Sequence, residues 1–167
     1  RSGFGVQTDI SINGGTFDQI TLLLNGVPLS NPQTGHNAAD FPVSISDIDH
    51  IEILEGSSAR IYGSSAFSGA VNIVTRPAVR NGGRVNIEGG SFGTFGGDAA
   101  VSWNPSASLL QQLSGGYMQS DGGTANSNFR KRRGFYQSGF NSTFIRLNWQ
   151  AGITSQDFGA NTFYSAR

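Results

Sequence analysis

The chain has 167 residues, 11 basic and 11 acidic side chains and zero formal net charge, so it carries no electrostatic footprint for nucleic acid. Cysteine is absent, which excludes disulfide frameworks, thiolate metal sites and cysteine nucleophiles. Charged residues make up only 13% while glycine reaches 24 residues, a balance that fits an all-β surface or outer-membrane protein, or a secreted β-solenoid, better than an ordinary cytosolic enzyme.

Residues 8 to 13, Thr8-Asp9-Ile10-Ser11-Ile12-Asn13, alternate as a short strand that Gly14-Gly15 breaks. Phe17 to Leu24 is a second β-rich run. It meets Asn25-Gly26, a hairpin signal because both residues tolerate positive φ. Val27-Pro28-Leu29 is the return arm, and Pro28 confines it to an edge or a short pairing. A polar loop follows over residues 30 to 42, and Ser44 to Ile48 suits one helical turn. Residues 47 to 76 are the densest part of the chain. Ile51-Glu52-Ile53-Leu54 has strand character and Gly56 stops it. Ser57 and Ser58 are placed to cap a short turn of helix through Ala59-Arg60-Ile61-Tyr62, which Gly63 ends. Gly69 opens the run Ala70-Val71-Asn72-Ile73-Val74-Thr75, closed by Arg76-Pro77. Gly56, Gly63 and Gly69 are expected as backbone positions of tight turns.

Beyond residues 78 to 84 the pattern changes to longer strands of period two. Val85 and Ile87 alternate with Asn86 and Glu88; Ala99, Val101 and Trp103 with Asp98, Ala100 and Ser102. Residues 109 to 119 and Ile145 to Thr154 continue it, while residues 135 to 142 carry aromatic side chains on both faces. The predicted connections are a turn at residues 104 to 108, a long polar loop at 120 to 131, a tight turn near 141 to 143 and a further loop from residue 155. Strands with one apolar and one polar face, joined by alternating short turns and long loops, mark a transmembrane β-barrel; a soluble antiparallel sandwich also alternates. No stretch approaches the roughly 18 apolar residues of a membrane helix. Residues 82 to 167 hold about five strands against the roughly eight of the smallest outer-membrane barrels, so a barrel here would be one part of a larger one.

The order and spacing of several motifs resemble those of a TonB-dependent outer-membrane receptor. They are Asp9-Ile10-Ser11-Ile12-Asn13-Gly14-Gly15, Leu22-Leu23-Leu24-Asn25-Gly26-Val27-Pro28, Asp40-Phe41-Pro42, Asp47 to Gly56, Tyr62-Gly63, and Gly69 to Thr75. The run Asp157 to Tyr164 is similar to receptors of Bacteroidota-type bacteria. Two positions depart from the family's usual pattern: Asn13 where many members have Arg, and Ser57 where many have Pro. The resemblance implies an α+β plug domain, residues 1 to 78 without its first segment, followed by the first antiparallel strands of a large transmembrane β-barrel, residues 79 to 167. Arg1 reads as mid-loop and Arg167 as a stop without an ending signal, as expected of a piece of a longer chain.

The resemblance further implies uptake of a scarce, bulky nutrient, cobalamin or an iron-siderophore, with the plug gating the barrel in the outer membrane. The implied partners are the TonB–ExbB–ExbD complex, acting through an upstream segment, the small-molecule ligand and outer-membrane lipids. No cofactor, metal site or catalytic constellation is expected. Members' apical plug loops touch substrate, and Asn31, Gln33, Thr34, His36 and Asn37 fall where such a loop lies. Glu52, Arg60 and Arg76 are implied plug–barrel contacts. Gly14, Asn25, Gly26, Gly56, Tyr62, Gly63, Gly69 and Asn72 are the plug's structural motif. The basic run Arg130-Lys131-Arg132-Arg133 is either an attractor of anionic lipopolysaccharide or iron chelate, or a solvated junction of loop and strand. A signalling receptor of the same fold and a soluble β-rich adhesin or carbohydrate-binding module are the alternatives.

Overall fold

The computed structural model describes residues 19–29, 41–55, 59, 61–62, 68–76 and 81–159. Two compact units emerge, one built from residues 6–40 and 48–76, the other from 41–47 and 77–167 together with short pieces of the N-terminus.

The first unit holds a four-stranded sheet. Its strands are β1 (Ile20–Leu24), β2 (Val27–Pro28), β3 (Ile48–Leu54) and β4 (Gly69–Thr75), in the order β2-β1-β4-β3. β1 and β4 are the inner pair and run parallel, Ile20 opposite Gly69 through Leu24 opposite Ile73. Every residue of β1 is buried, as a central parallel strand requires, and this accounts for the unbroken apolar run Leu22-Leu23-Leu24. Leu23, Ala59 and Ala70 form the core, with Leu54 and Tyr62 packed against it. Small side chains at residues 59 and 70 leave the volume that Leu23 and Tyr62 fill. The strand expected at residues 51–54 begins earlier, at Ile48, and a register shift lies between Ile48 and His50. Among the described residues β3 is an edge strand, and Asp49, His50 and Glu52 charge it against unwanted pairing. The expected helical turn is represented by Ala59, whose carbonyl accepts from the Tyr62 amide at 3.0 Å. Its capping serines lie outside the described residues, as do the predicted strand at 8–13 and the loop at 30–40.

The second unit holds a five-stranded antiparallel meander of β5 (Gly82–Gly89), β6 (Phe95–Ser106), β7 (Leu109–Ser120), β8 (Phe129–Asn141) and β9 (Arg146–Phe158). The strands are longer than their sequence patterns suggest. The turn expected at 104–108 shrinks to Ala107-Ser108, because β6 continues through Pro105 at a register shift between Trp103 and Ser106, where a missing N–H is tolerated. The loop expected at 120–131 spans only 121–128, so the basic run lies inside β8. The loop expected from residue 155 is strand as far as Phe158. The pairing explains this: each extra rung, such as Arg130 opposite Asp157, satisfies backbone groups that a loop would leave to water.

The register sorts the side chains onto two faces. Arg84, Asn86, Asp98, Gln112, Ser114, Gly116, Arg133, Phe135, Gln137, Gln150 and Gly152 share one. Val85, Ile87, Val101, Leu113, Leu147, Trp149 and Ile153 share the other, and all of these are exposed large hydrophobics. Polar groups are covered and apolar groups uncovered, the reverse of a soluble sheet. Among the described residues no helix is long and apolar enough to cross a membrane.

Candidate functional site

Two polar constellations stand out. The first is a chain of hydrogen bonds across the four-stranded sheet. Asn25 and Gly26 turn the β1–β2 hairpin with φ of 51° and 80°. Positive φ at both positions sets the twist that closes a two-residue hairpin. The turn is then fastened to β4. The Asn25 amide donates to the Ile73 carbonyl at 2.9 Å, and Asn25 Oδ1 accepts from the Thr75 amide at 2.9 Å. Asn72 is the junction. Its Oδ1 accepts from the Gly26 amide at 2.9 Å, and its Nδ2 donates to Glu52 Oε2 at 2.8 Å. Glu52 Oε1 lies 3.3 Å from His50 Nε2, and His50 Nδ1 lies 2.8 Å from Asp49 Oδ2. The Asp49 and Glu52 carboxylates, hydrogen-bonded to its ring, hold the His50 pKa above its ordinary value. The Asn72 amide, and then His50, hold Glu52 below its own. Both side chains are solvent-accessible, so the pair orients the edge strand more than it stabilises it.

The second constellation belongs to the five-stranded unit. Residues 41–47 lie against the polar face of its sheet. Ile45–Asp47 is a 3-10 turn, and the Ser44 amide donates to Asp47 Oδ2 at 3.0 Å, the product of a Ser-x-x-Asp spacing. Asp47 is 1% exposed and its Oδ1 receives Arg84 Nη2 of β5 at 2.5 Å. A buried carboxylate needs both partners, since charge without compensation is costly in the interior. Ser46 Oγ donates to Asp98 Oδ2 of β6 at 2.5 Å. Glycines make room for the segment. A Cβ at Gly152 would stand 2.6 Å from the Pro42 ring, and one at Gly116 would stand 3.1 Å from Ser44 Oγ.

The structure treats the predicted site residues unevenly. It brings Asn25, Gly26, Asn72 and Glu52 into one hydrogen-bonded chain, and it packs Tyr62 on the Leu23 cluster. Gly69 opens β4 opposite Ile20. Arg76 Nε donates to the Ile48 carbonyl at 3.1 Å, tying the end of β4 to the start of β3. Asn72 and His50, which hold Glu52, and Ile48, which holds Arg76, all belong to the same unit as the residues they bind. Asn31, Gln33, Thr34, His36, Asn37, Arg60, Gly14, Gly56 and Gly63 lie outside the described residues. Sequence reasoning did not single out Ser46, Arg84 and Asp98, and it placed Pro42 and Asp47 in motifs without naming what they would touch. The Ser44-x-x-Asp47 spacing was the available signal for Asp47; nothing local marks its partner 37 residues away. Among the described residues no cluster of His, Cys, Asp or Glu is arranged as a metal centre.

Comparison with known proteins adds the family. Residues 1–70 match the family described as TonB-dependent Receptor Plug Domain. The chain is 31% identical over 143 residues to the vitamin B12 transporter BtuB of Photobacterium profundum, covering 75% of this chain and 23% of that protein. Against the vitamin B12 transporter BtuB of Vibrio vulnificus identity is 25% over 179 residues, covering 96% and 28%. The chain thus spans about a quarter of the length of these curated relatives. Among solved structures, the siderophore receptor PirA from Pseudomonas aeruginosa superposes with a TM-score of 0.68 at 26% identity, covering 87% of this chain and 27% of that one. The copper transporter OprC superposes with a TM-score of 0.76 at 21% identity, covering 95% and 26%, a likeness of fold. Residues 1–70 are therefore a TonB-dependent receptor plug domain, and with the antiparallel strands that follow them the chain belongs to the TonB-dependent outer-membrane receptors.

Proposed function

We propose that this chain is the plug and first wall strands of an outer-membrane receptor that takes up cobalamin or an iron-siderophore in a TonB-dependent manner. The observation that carries the reading is a conjunction. A plug match over residues 1–70 is followed by a five-stranded meander whose apolar face is exposed and whose polar face is covered. The apolar positions of β9 from Leu147 to Ile153 extend roughly 20 Å along the strand, of the order of the ~25 Å band that lipid-facing barrel walls present. The names of the relatives, vitamin B12 transporters and a siderophore receptor, support the cargo class. Residues 1 to 78 are the plug and 79 to 167 the wall, with residues 41–47 as plug sequence lodged on wall strands. The TonB–ExbB–ExbD complex supplies the energy. The chain performs no chemistry on its cargo, and specificity resides in the loop bearing Asn31, Gln33, Thr34, His36 and Asn37.

The test is accumulation of labelled cyanocobalamin and of labelled ferric siderophores by cells with the full-length receptor as their sole route. Uptake of one of these that disappears when TonB is deleted is the expected result. Binding and uptake of neither class would overturn the reading. Replacing residues 33–37 in the intact receptor should weaken ligand binding by about tenfold or more, the scale of a few lost hydrogen bonds. Unchanged affinity would remove that loop from the site.

A further inference from the structure

The basic run of β8 is one feature in sequence and two in space. Successive strand residues point to opposite faces, so Arg130 and Arg132 stand on the apolar outward face, whereas Lys131 and Arg133 stand on the covered polar face. Both outward arginines are exposed. Among the described residues neither side chain has a hydrogen-bond or ion-pair partner, which sets them apart from Arg84 with its Asp47. Their neighbours on the same face are Gln119 and Asp157 across from Arg130, and Tyr117 and Ser155 across from Arg132. Arg132 is thus flanked by neutral groups, and Arg130 by one carboxylate.

Their height on the wall is defined as well. Loops 90–94 and 121–128 lie at the end of the sheet where the arginines stand, and the short connections 107–108 and 142–145 lie at the other. Longer loops mark the extracellular side of a barrel of this kind. Going down the same face from Arg132, β8 reaches Gly134, Tyr136 and Phe140, and β9 reaches Ile153, Ala151, Trp149 and Leu147. Two exposed guanidiniums therefore crown an apolar band at its outer edge. An amphiphile with acyl chains and an anionic head matches that sequence of surfaces: chains against Leu113 and Ile153, head against the arginines. Guanidinium forks recognise phosphate oxygens in a bidentate way, and two of them at i and i+2 sit about 7 Å apart along the strand.

We propose that Arg132, assisted by Arg130, binds the phosphate groups of an anionic glycolipid of the outer leaflet on the outward face of β8. Arg132 is the principal ligand because no carboxylate opposes it. This site rests on the outer-membrane reading above. It separates the basic run into a lipid-holding pair and an inward pair, and it fixes the vertical position of the first wall strands against the headgroup layer.

The experiment uses the full-length receptor, purified folded in a neutral detergent, and titrates it with lipid A bearing both phosphates, with the enzymatically dephosphorylated lipid, and with phosphatidylcholine. Native mass spectrometry counts the retained lipid. Wild-type receptor should retain the bis-phosphorylated lipid about tenfold more tightly than the dephosphorylated one, the scale expected of two interfacial arginines. Arg130→Gln with Arg132→Gln should abolish that difference, Arg132→Gln alone should remove most of it, and Lys131→Gln, on the opposite face, should leave it intact. Wild-type receptor that does not distinguish the two forms of lipid A would overturn the proposal without reference to any variant. So would a loss as large in Lys131→Gln as in the double variant. Labelling of residues 121–128 on intact cells distinguishes the two levels. Surface labelling with no phosphate dependence sinks the lipid site alone, and no surface labelling sinks the outer-membrane reading with it.

Discussion

Asn72 is the residue on which the plug's polar wiring converges. It accepts from the backbone of the Asn25-Gly26 turn and donates to Glu52 on β3, so one side chain of β4 links the hairpin turn to the neighbouring strand. Asn72→Ala leaves the Gly26 amide without its acceptor in a partly buried place. The expected loss is about 1–3 kcal/mol of stability, measured by denaturant unfolding of the full-length receptor. A change of less than a few tenths would mean that the junction is dispensable. His50 reports on the same wiring. Its raised pKa means that whatever it contributes is present below its ordinary pKa and fades as pH rises through the raised value. Glu52, lowered, contributes above its ordinary pKa and loses that as pH falls through the lowered value. The charged pair therefore exists between those two limits. Substituting Glu52→Gln should move the His50 ring titration, followed by NMR, back toward an ordinary histidine; Asp49→Asn should move it further, because Asp49 is the larger cause. An unmoved titration in both variants would refute the assignment.

At the scale of elements, the 41–47 segment and the wall strands carry the testable geometry. Asp47→Asn weakens the bond to Arg84 and to the Ser44 amide, and an expected cost of about 2 kcal/mol follows from losing a charge-assisted hydrogen bond in a covered site. Combined with Arg84→Gln, the losses should fall well short of additive, because the two changes remove one interaction. Additive losses would show that the pair is not coupled. Gly152→Ala should also release the segment, since its methyl would meet the Pro42 ring; faster proteolysis near residue 42 in the folded receptor is the readout. The strands themselves were largely legible in the sequence because period two survives wherever one face is apolar, as in β9. Their ends were not. Phe129–Arg133 and Ser155–Phe158 are polar enough to resemble loops, and only cross-strand pairing makes them strand. The Asn25-Gly26 turn was visible because its chemistry is local. The Asp47–Arg84 pair was not, because its partners are brought together by tertiary folding alone.

For the whole molecule, the two faces of the meander specify its solvent. Val85, Val101, Leu113 and Ile153, exposed in a band without charge, would be a liability in water and are suited to acyl chains. Leu113→Arg should lower barrel stability in bilayers by about 2–4 kcal/mol, whereas Gln150→Arg on the opposite face should cost far less. Equal costs would contradict the orientation of the sheet. The plug, by contrast, is built like a small soluble domain, with Leu23, Ala59 and Ala70 at its centre and a polar chain across one side.

One property of that small sheet bears on how it responds to force. β1 and β4 run parallel through five successive rungs, while β2 meets β1 over two antiparallel ones. Tension entering ahead of Ile20 and balanced beyond Thr75 is applied at opposite ends of parallel neighbours. It loads all five rungs in shear at once, and they must yield together. The same tension on an antiparallel hairpin would part it one rung at a time. The sheet is thus a stiff clamp along its strand axis, one that holds until β1 slides past β4 as a unit.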